Sequence, residues 1–211
     1  MTSEQETLQT LAAQISQCTL CALHQGRIRA VPGEGPADAE LMLIGEGPGY
    51  HENRQGRPFV GPSGQFLDEL LATARLRRQD VFIANVVKCR PPDNRDPLPN
   101  EVDTCTSTYL HKQIELIDPK VIVTLGRYSM ALFFPKEKIS KIHGQPRRIG
   151  GRLIVPMIHP AAALHQPKNR ALIEEDFRRL PEFLARAEHA ASQPESPADD
   201  ESPAAEQLSM F

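Results

Sequence analysis

No stretch of this 211-residue sequence approaches the ~20 consecutive apolar residues of a membrane span, so no membrane-embedded helix is expected. Its first ten residues, MTSEQETLQT, are polar and acidic where a signal peptide would be basic and then apolar, which predicts a cytoplasmic protein. Neither the 13 glycines nor the 19 prolines recur at a fixed period, which excludes collagen-like and coiled-coil classes. Cysteine is scarce, with four residues. A chain of this length buries roughly 70% of its unfolded surface, so it needs no disulfide or metal staple merely to fold. In a reducing compartment the four cysteines are better read as metal-bound thiolates or as plain core residues than as disulfides.

Basic residues are missing from one region altogether. Between Ala191 and Glu206 there are five acidic side chains and no Lys or Arg, which leaves 24 basic against 22 acidic residues in the remainder. The formal net charge of −3 is therefore no argument against a nucleic-acid partner. That tail is rich in Pro, Ser, Ala and acid and cannot supply a core, so it is expected to be disordered. Within the body, Lys136, Lys138, Lys141, Arg147, Arg148 and Arg152 are opposed locally only by Glu137. This segment reads as a basic loop, either an ordinary solvated face or a phosphate-binding one.

Apolar periodicity predicts strands over AELMLIGE, DVFIANVVK, PKVIVTLG and RLIVPMIHP. Helices are expected over Glu4 to Gln17, from Pro62 through PSGQFLDELLATARL, from Asn100 towards Ile117, over RYSMALFF, and over the closing NRALIEEDFRRLPEFLARAEHA with a kink at Pro181. Strands alternating with helices imply parallel crossovers, hence an α/β three-layer sandwich around a four-stranded parallel sheet. Ligands in such folds bind beyond the carboxyl ends of the strands, and the polar Gly/Pro segments GEGPGYHENRQGRPFVG, KCRPPDNRDP and HPAAALHQP follow strands.

Cys18 and Cys21 form a CxxC, and Cys89 and Cys105 follow after 67 and 15 intervening residues. A four-cysteine zinc site usually presents two close pairs. The wide second pair leans towards an iron-sulfur cluster, whose shape accepts ligands from separated segments, with zinc as the alternative. The polar surroundings CALHQGR and KCRPP argue against four unrelated core cysteines. Asn85 closes the second strand, where its plain reading is a strand-end turn residue.

The CxxC, GEGPG followed by RQGRPFVG, NVVKCRPP, the later cysteine and HPAAAL together resemble the family 4 uracil-DNA glycosylases, the 4Fe-4S branch of that superfamily. The resemblance spans about Leu11 to Arg179. It implies one 4Fe-4S cluster held by Cys18, Cys21, Cys89 and Cys105, with a structural role beside the DNA. It implies further that Gly45, Glu46 and Gly47 line a uracil pocket, that the Asn85 amide pairs with uracil N3–H and O4 while cytosine presents the opposite pattern, that Phe59 stacks on a base flipped from DNA, and that His159 is the catalytic histidine. A histidine donating to uracil O2 stabilises charge that appears only as the glycosidic bond breaks. The aspartate of better-known uracil glycosylases corresponds to Gly47, so Glu46 or Glu52 is left to activate water. Thymine exclusion falls to Glu52 or to Tyr50, where the chain departs from the family's usual acidic run. No basic insertion follows GEGPG, unlike in the related branch that cross-links to DNA, so a hydrolytic enzyme that turns over is expected.

The implied function is excision of uracil from DNA to leave an abasic site, with residues 1–190 as the glycosylase domain; the alternative is a non-catalytic iron-sulfur protein that binds DNA as a damage reader. Leu164 is placed to act as a wedge in the vacated base stack, with His165 near phosphates. A monomer is expected. Residues 191–206 read as a linker, and Gln207, Leu208, Met210 and Phe211 in QLSMF resemble the peptide by which bacterial repair proteins bind the β sliding clamp.

Overall fold

The structure is a computed structural model that describes residues 3–191. The clamp-like peptide and its linker lie outside the described residues. The chain runs α1 (Ser3–Gln17), β1 (Leu41–Gly45), α2 (Tyr50–Gln55), α3 (Pro62–Thr73), β2 (Phe82–Asn85), α4 (Pro99–Cys105), α5 (His111–Ile117) and β3 (Val121–Leu125). It continues through α6 (Arg127–Ala131), α7 (Ile139–Ile142), β4 (Arg147–Ile149), β5 (Arg152–Met157), α8 (Ala161–His165), α9 (Lys168–Arg178) and α10 (Leu180–Ala191).

The strands lie in the order β2-β1-β3-β5-β4. The four strands expected from the sequence pair in parallel, with Gly45 opposite Asn85 at the β1–β2 edge. The expected count of four is corrected to five: β4 pairs antiparallel with β5 through a turn at Gly150 and Gly151, both at positive φ. Its residues Arg147, Arg148 and Ile149 are all exposed, so β4 carries no apolar alternation to betray it. The basic segment expected as a loop is thus α7 followed by a hairpin. Arg147 pairs with Glu137 and Arg152 with Asp118, so part of its charge is neutralised.

Alternation places side chains on two buried faces. Met42, Ile44, Ile122 and Ile154 join Leu8, Leu11 and Ile15 of α1 and Ile114 and Ile117 of α5 in one core. Leu41, Leu43, Val121, Val123, Leu153 and Val155 join Leu67, Leu70 and Leu71 of α3 with Ile173, Phe177 and Phe183 of α9 and α10 in the other. Burial on both faces is what a central parallel sheet requires. The helix expected from Asn100 towards Ile117 runs through α4 and α5, joined by one π-helical stretch over Thr106–Leu110 directly after Cys105. The closing helix breaks between α9 and α10, just before Pro181, which cannot donate to the preceding turn.

Phe177 has no exposed surface and lies in the core between α9 and the sheet. Phe177→Ala is expected to lower stability by about 3–5 kcal/mol in denaturant unfolding, the usual cost of removing a fully buried aromatic ring.

Candidate active site

Gly45 closes β1 opposite Asn85, and its missing side chain makes room for two others. A Cβ there would lie 2.4 Å from Asn85 Oδ1 and 2.7 Å from Phe59 Cζ. Phe59 is buried and adopts φ 50°, a left-handed conformation that a bulky residue holds only when its surroundings enforce it. Two neighbours do so. Arg78 donates from Nη1 to the Phe59 carbonyl at 3.1 Å and from Nη2 to the Pro58 carbonyl. Gly64 admits the same carbonyl, since a Cβ at that position would fall 1.9 Å from Phe59 O. The Phe59 ring is stacked with that of His159, with centroids 5.6 Å apart and planes 24° from parallel.

These residues surround an open pocket of about 430 Å³ lined by Glu46, Gly47, Glu52, Phe59, Asn85 and His159, with Gly49, Ser63, Asn94, Ala161, Ala162 and His165 completing the wall. It lies where the carboxyl ends of β1, β2 and β5 meet their following loops, as expected for a parallel sheet. Asn85 Oδ1 is buried and has no hydrogen-bond partner within the protein. An unpaired buried acceptor costs about 1–3 kcal/mol, a penalty that a ligand N–H removes.

His159 Nδ1 accepts the Ala161 backbone N–H at 3.1 Å. An accepting Nδ1 places the proton of the neutral ring on Nε2, leaving that nitrogen as a donor. Burial, partly opposed by the Glu52 charge, lowers the His159 pKa from 6.5 to about 4. His159 lines the pocket and is partly exposed there, and with its pKa lowered to about 4 the neutral form is the working one at pH 7.

Glu52 is buried, and its carboxylate is committed to backbone donors. Oε1 accepts N–H from Val60 at 2.9 Å and Gly61 at 2.8 Å, and Oε2 accepts Gly49 N–H at 3.1 Å. Glu52 thereby fastens the loop carrying Phe59 to α2. Glu46 is only half-buried, and its pKa is raised first by desolvation and then by the Asp96 charge, against the pull of Arg127. Tyr50 is half-exposed on α2 and is not among the residues lining the pocket. The segment around it was expected as a loop and instead forms the short helix α2, capped by Gly49 and Glu52. Leu164 is half-exposed on α8, next to the pocket-lining Ala161, Ala162 and His165, while none of the basic residues from Lys136 to Arg152 reaches the wall.

A second cavity lies on the α1 side of the sheet, where Cys18, Cys21, Cys89 and Cys105 meet Ile15, Leu23 and Tyr109. Arg27 Nη1 donates to Cys89 Sγ, and the Lys88 N–H donates to Cys105 Sγ, each at 3.3 Å. Burial raises the thiol pKa of Cys89 and pushes that of Cys105 up to about 11. No three His, Cys, Asp or Glu side chains among the described residues converge closely enough for a single metal ion. Four sulfurs around a shared cavity, two of them receiving N–H donors, are a donor set that suits a larger thiolate-bound group. Lys88 joins the two sites: its fully buried ammonium donates to the Asn85 carbonyl at 2.9 Å and to Gln113 Oε1 at 2.6 Å.

The family model described as Uracil DNA glycosylase superfamily matches residues 32–181, which takes in every strand and the whole pocket wall. The chain belongs to that superfamily. It is 46% identical over 190 residues to the type-4 uracil-DNA glycosylase of Saccharolobus solfataricus, covering 85% of this chain and 88% of the relative. It is 43% identical over 188 residues to the type-4 enzyme of Sulfurisphaera tokodaii, covering 84% and 85%. Against the type-4 enzyme of Thermotoga maritima it is 40% identical over 191 residues, covering 88% and 99%.

Sequence reasoning missed Asn94, Ser63, Gly64 and Arg78. Asn94 and its neighbour Asp93 take left-handed conformations, which Asn and Asp tolerate best, and that Asp-Asn pair in a proline-rich loop was the available signal. Arg78 had none, because the carbonyls it holds lie 19 and 20 residues away in sequence.

The imidazole geometry makes a prediction. Histidine NMR titration should find His159 changing charge near pH 4, and a transition at or above the ordinary 6.5 would contradict the buried neutral ring. The sign for stability follows: a lowered folded pKa costs nothing above pH 6.5 and destabilises as pH falls from there towards 4.

Proposed function

We infer that this chain excises uracil from DNA, hydrolysing the bond between N1 of the base and C1′ of deoxyribose to leave an abasic site. The observation that carries this reading is the unpaired Asn85 Oδ1, buried beside a stacking ring and a neutral histidine in one pocket. Asn85 accepts uracil N3–H, and the amide as a whole complements N3–H and O4. Phe59 stacks on the flipped base, and the backbone of Gly45, Glu46 and Gly47 borders its edge.

As the bond breaks, its electron pair passes to the uracil, and the sugar becomes oxocarbenium-like. His159 Nε2–H donates to O2 of the departing anion, a contact that strengthens as charge develops. Water adds its oxygen to C1′ and passes a proton to the Glu46 carboxylate, and the released uracil anion takes up a proton from solvent. Glu46, half-buried with a raised pKa, is the better-placed carboxylate to orient that water, since Glu52 is held by three backbone donors. Leu164 fills the vacated stack. His159→Ala should lower the single-turnover rate by ~100-fold or more, read as alkali-labile cleavage of a uracil oligonucleotide, with little change in binding. An unchanged rate would remove His159 from the chemistry, and absence of any abasic product with the parent protein would remove the function.

Cys18, Cys21, Cys89 and Cys105 would hold one 4Fe-4S cluster, whose contribution would be structural, since the four thiolates come from the segment after α1, the loop after β2 and the end of α4. Cys→Ser at any of the four should cost iron and stability together. Zinc in place of iron in anaerobically purified protein would contradict this.

Residues 1–190 form the catalytic unit, residues 191–206 a linker, and QLSMF a β-clamp ligand with Gln207, Leu208, Met210 and Phe211 as its contacts. Three large apolar residues at the end of a polar, acidic stretch are what support this reading. Tethering raises local concentration at replicating DNA without altering the active site. Removing residues 207–211 should abolish clamp binding and leave excision from short oligonucleotides intact; equal clamp affinity with and without them would contradict it.

A further inference from the structure

We propose that Tyr50, Arg54 and Arg90 form a grip for the phosphodiester backbone of the strand carrying the uracil, beside the mouth of the base pocket. The proposal rests on the glycosylase reading above. Tyr50 is 49% exposed. The guanidinium carbons of Arg54 and Arg90 lie 5.6 and 5.5 Å from its ring centroid. Arg54 Nη1 also donates to the Tyr50 hydroxyl at 3.3 Å. Arg90 Nε donates to Asn94 Oδ1 at 2.8 Å.

Position and charge point to the ligand. Tyr50 follows Gly49, and Arg90 is bonded to Asn94; both Gly49 and Asn94 line the pocket. The grip therefore adjoins the pocket wall at Gly49 and Asn94. Neither guanidinium has a carboxylate within 4 Å among the described residues, whereas Arg57, Arg127 and Arg147 are paired with Glu34, Asp96 and Glu137. Two unneutralised cations held over one ring repel each other, and stacking does nothing to remove their charge. An anion with several acceptor oxygens relieves that repulsion. A guanidinium stacked on an aromatic face keeps its N–H edge free to fork onto phosphate oxygens, and its orientation is set in advance. Nothing in the trio reads a base, so the grip is indifferent to sequence and positions the strand while the pocket selects the nucleotide.

The test is equilibrium binding of a uracil-free oligonucleotide, so that no turnover intervenes, measured against salt concentration for the parent, Arg54→Gln and Arg90→Gln proteins. Each change should flatten the slope of log affinity against log salt by about 0.9 on duplex or about 0.7 on single-stranded DNA, the amount expected for one lost phosphate contact. Arg178→Gln, which removes a cation already paired with Glu174 and Glu175, should leave the slope as it was. Unchanged slopes for Arg54→Gln and Arg90→Gln would overturn the proposal. Should Arg90→Gln lose iron or fold, Arg54→Gln decides alone, because it stands on the exposed helix α2 away from the cysteines. Uracil release by the parent protein is scored separately. A flattened slope without uracil release would keep the phosphate grip and discard the glycosylase reading.

Discussion

Gly45 is the point on which the site depends. Parallel pairing of β1 with β2 sets it opposite Asn85, and the absent Cβ lets the Asn85 amide and the Phe59 ring close on the same position. Any larger residue would drive one of them out of the pocket. The Asn85 amide is thus fixed by sheet register, while the Phe59 ring comes from a loop that must be held by other means. Arg78, Gly64 and the Glu52 carboxylate supply those means, and together they stabilise a left-handed Phe59 that local preference disfavours. On the far side, β5 delivers His159, whose tautomer is fixed by the Ala161 N–H.

The cysteine cavity sits on the other face of the same sheet edge, and Lys88 is common to both. Its backbone N–H reaches Cys105 Sγ, and its side chain reaches the Asn85 carbonyl and Gln113, which in turn donates to the Pro32 carbonyl at 2.7 Å. Burial lowers the Lys88 pKa to about 8, and the neighbouring Cys105 opposes that shift. An amine buried this deeply is tolerated only with its hydrogen bonds satisfied, so Lys88 ties the end of β2 to the segment that carries Cys89 and to Cys105. Arg27 does the same for the amino-terminal segment, bonding the carbonyls of Ser16 and Cys18 as well as Cys89 Sγ.

Much of this was legible in the sequence because the physics was local or periodic. Runs such as LMLIG and VIVTL announce strands buried on both faces, and Gly/Pro-rich polar segments after them announce loops at the ligand-binding end. Glu46, Gly47, Phe59, Asn85 and His159, drawn from distant parts of the chain, line one pocket, with Gly45 behind Asn85 and Phe59. What escaped was structure whose cause lies elsewhere in the chain. Helix α2, with the polar sequence YHENRQ, is held by carboxylate-to-backbone bonds rather than by an apolar stripe. Strand β4 has only its Gly-Gly turn as a signal. Arg78 is an ordinary surface-type residue until its distant carbonyl partners are in place.

The most direct measurement is a structure of this protein with free uracil bound. The account predicts uracil N3–H at hydrogen-bond distance from Asn85 Oδ1, O2 facing His159 Nε2, and the ring stacked on Phe59. Uracil in the pocket with N3 turned away from Asn85, or bound at another site while this pocket stays open, would contradict it.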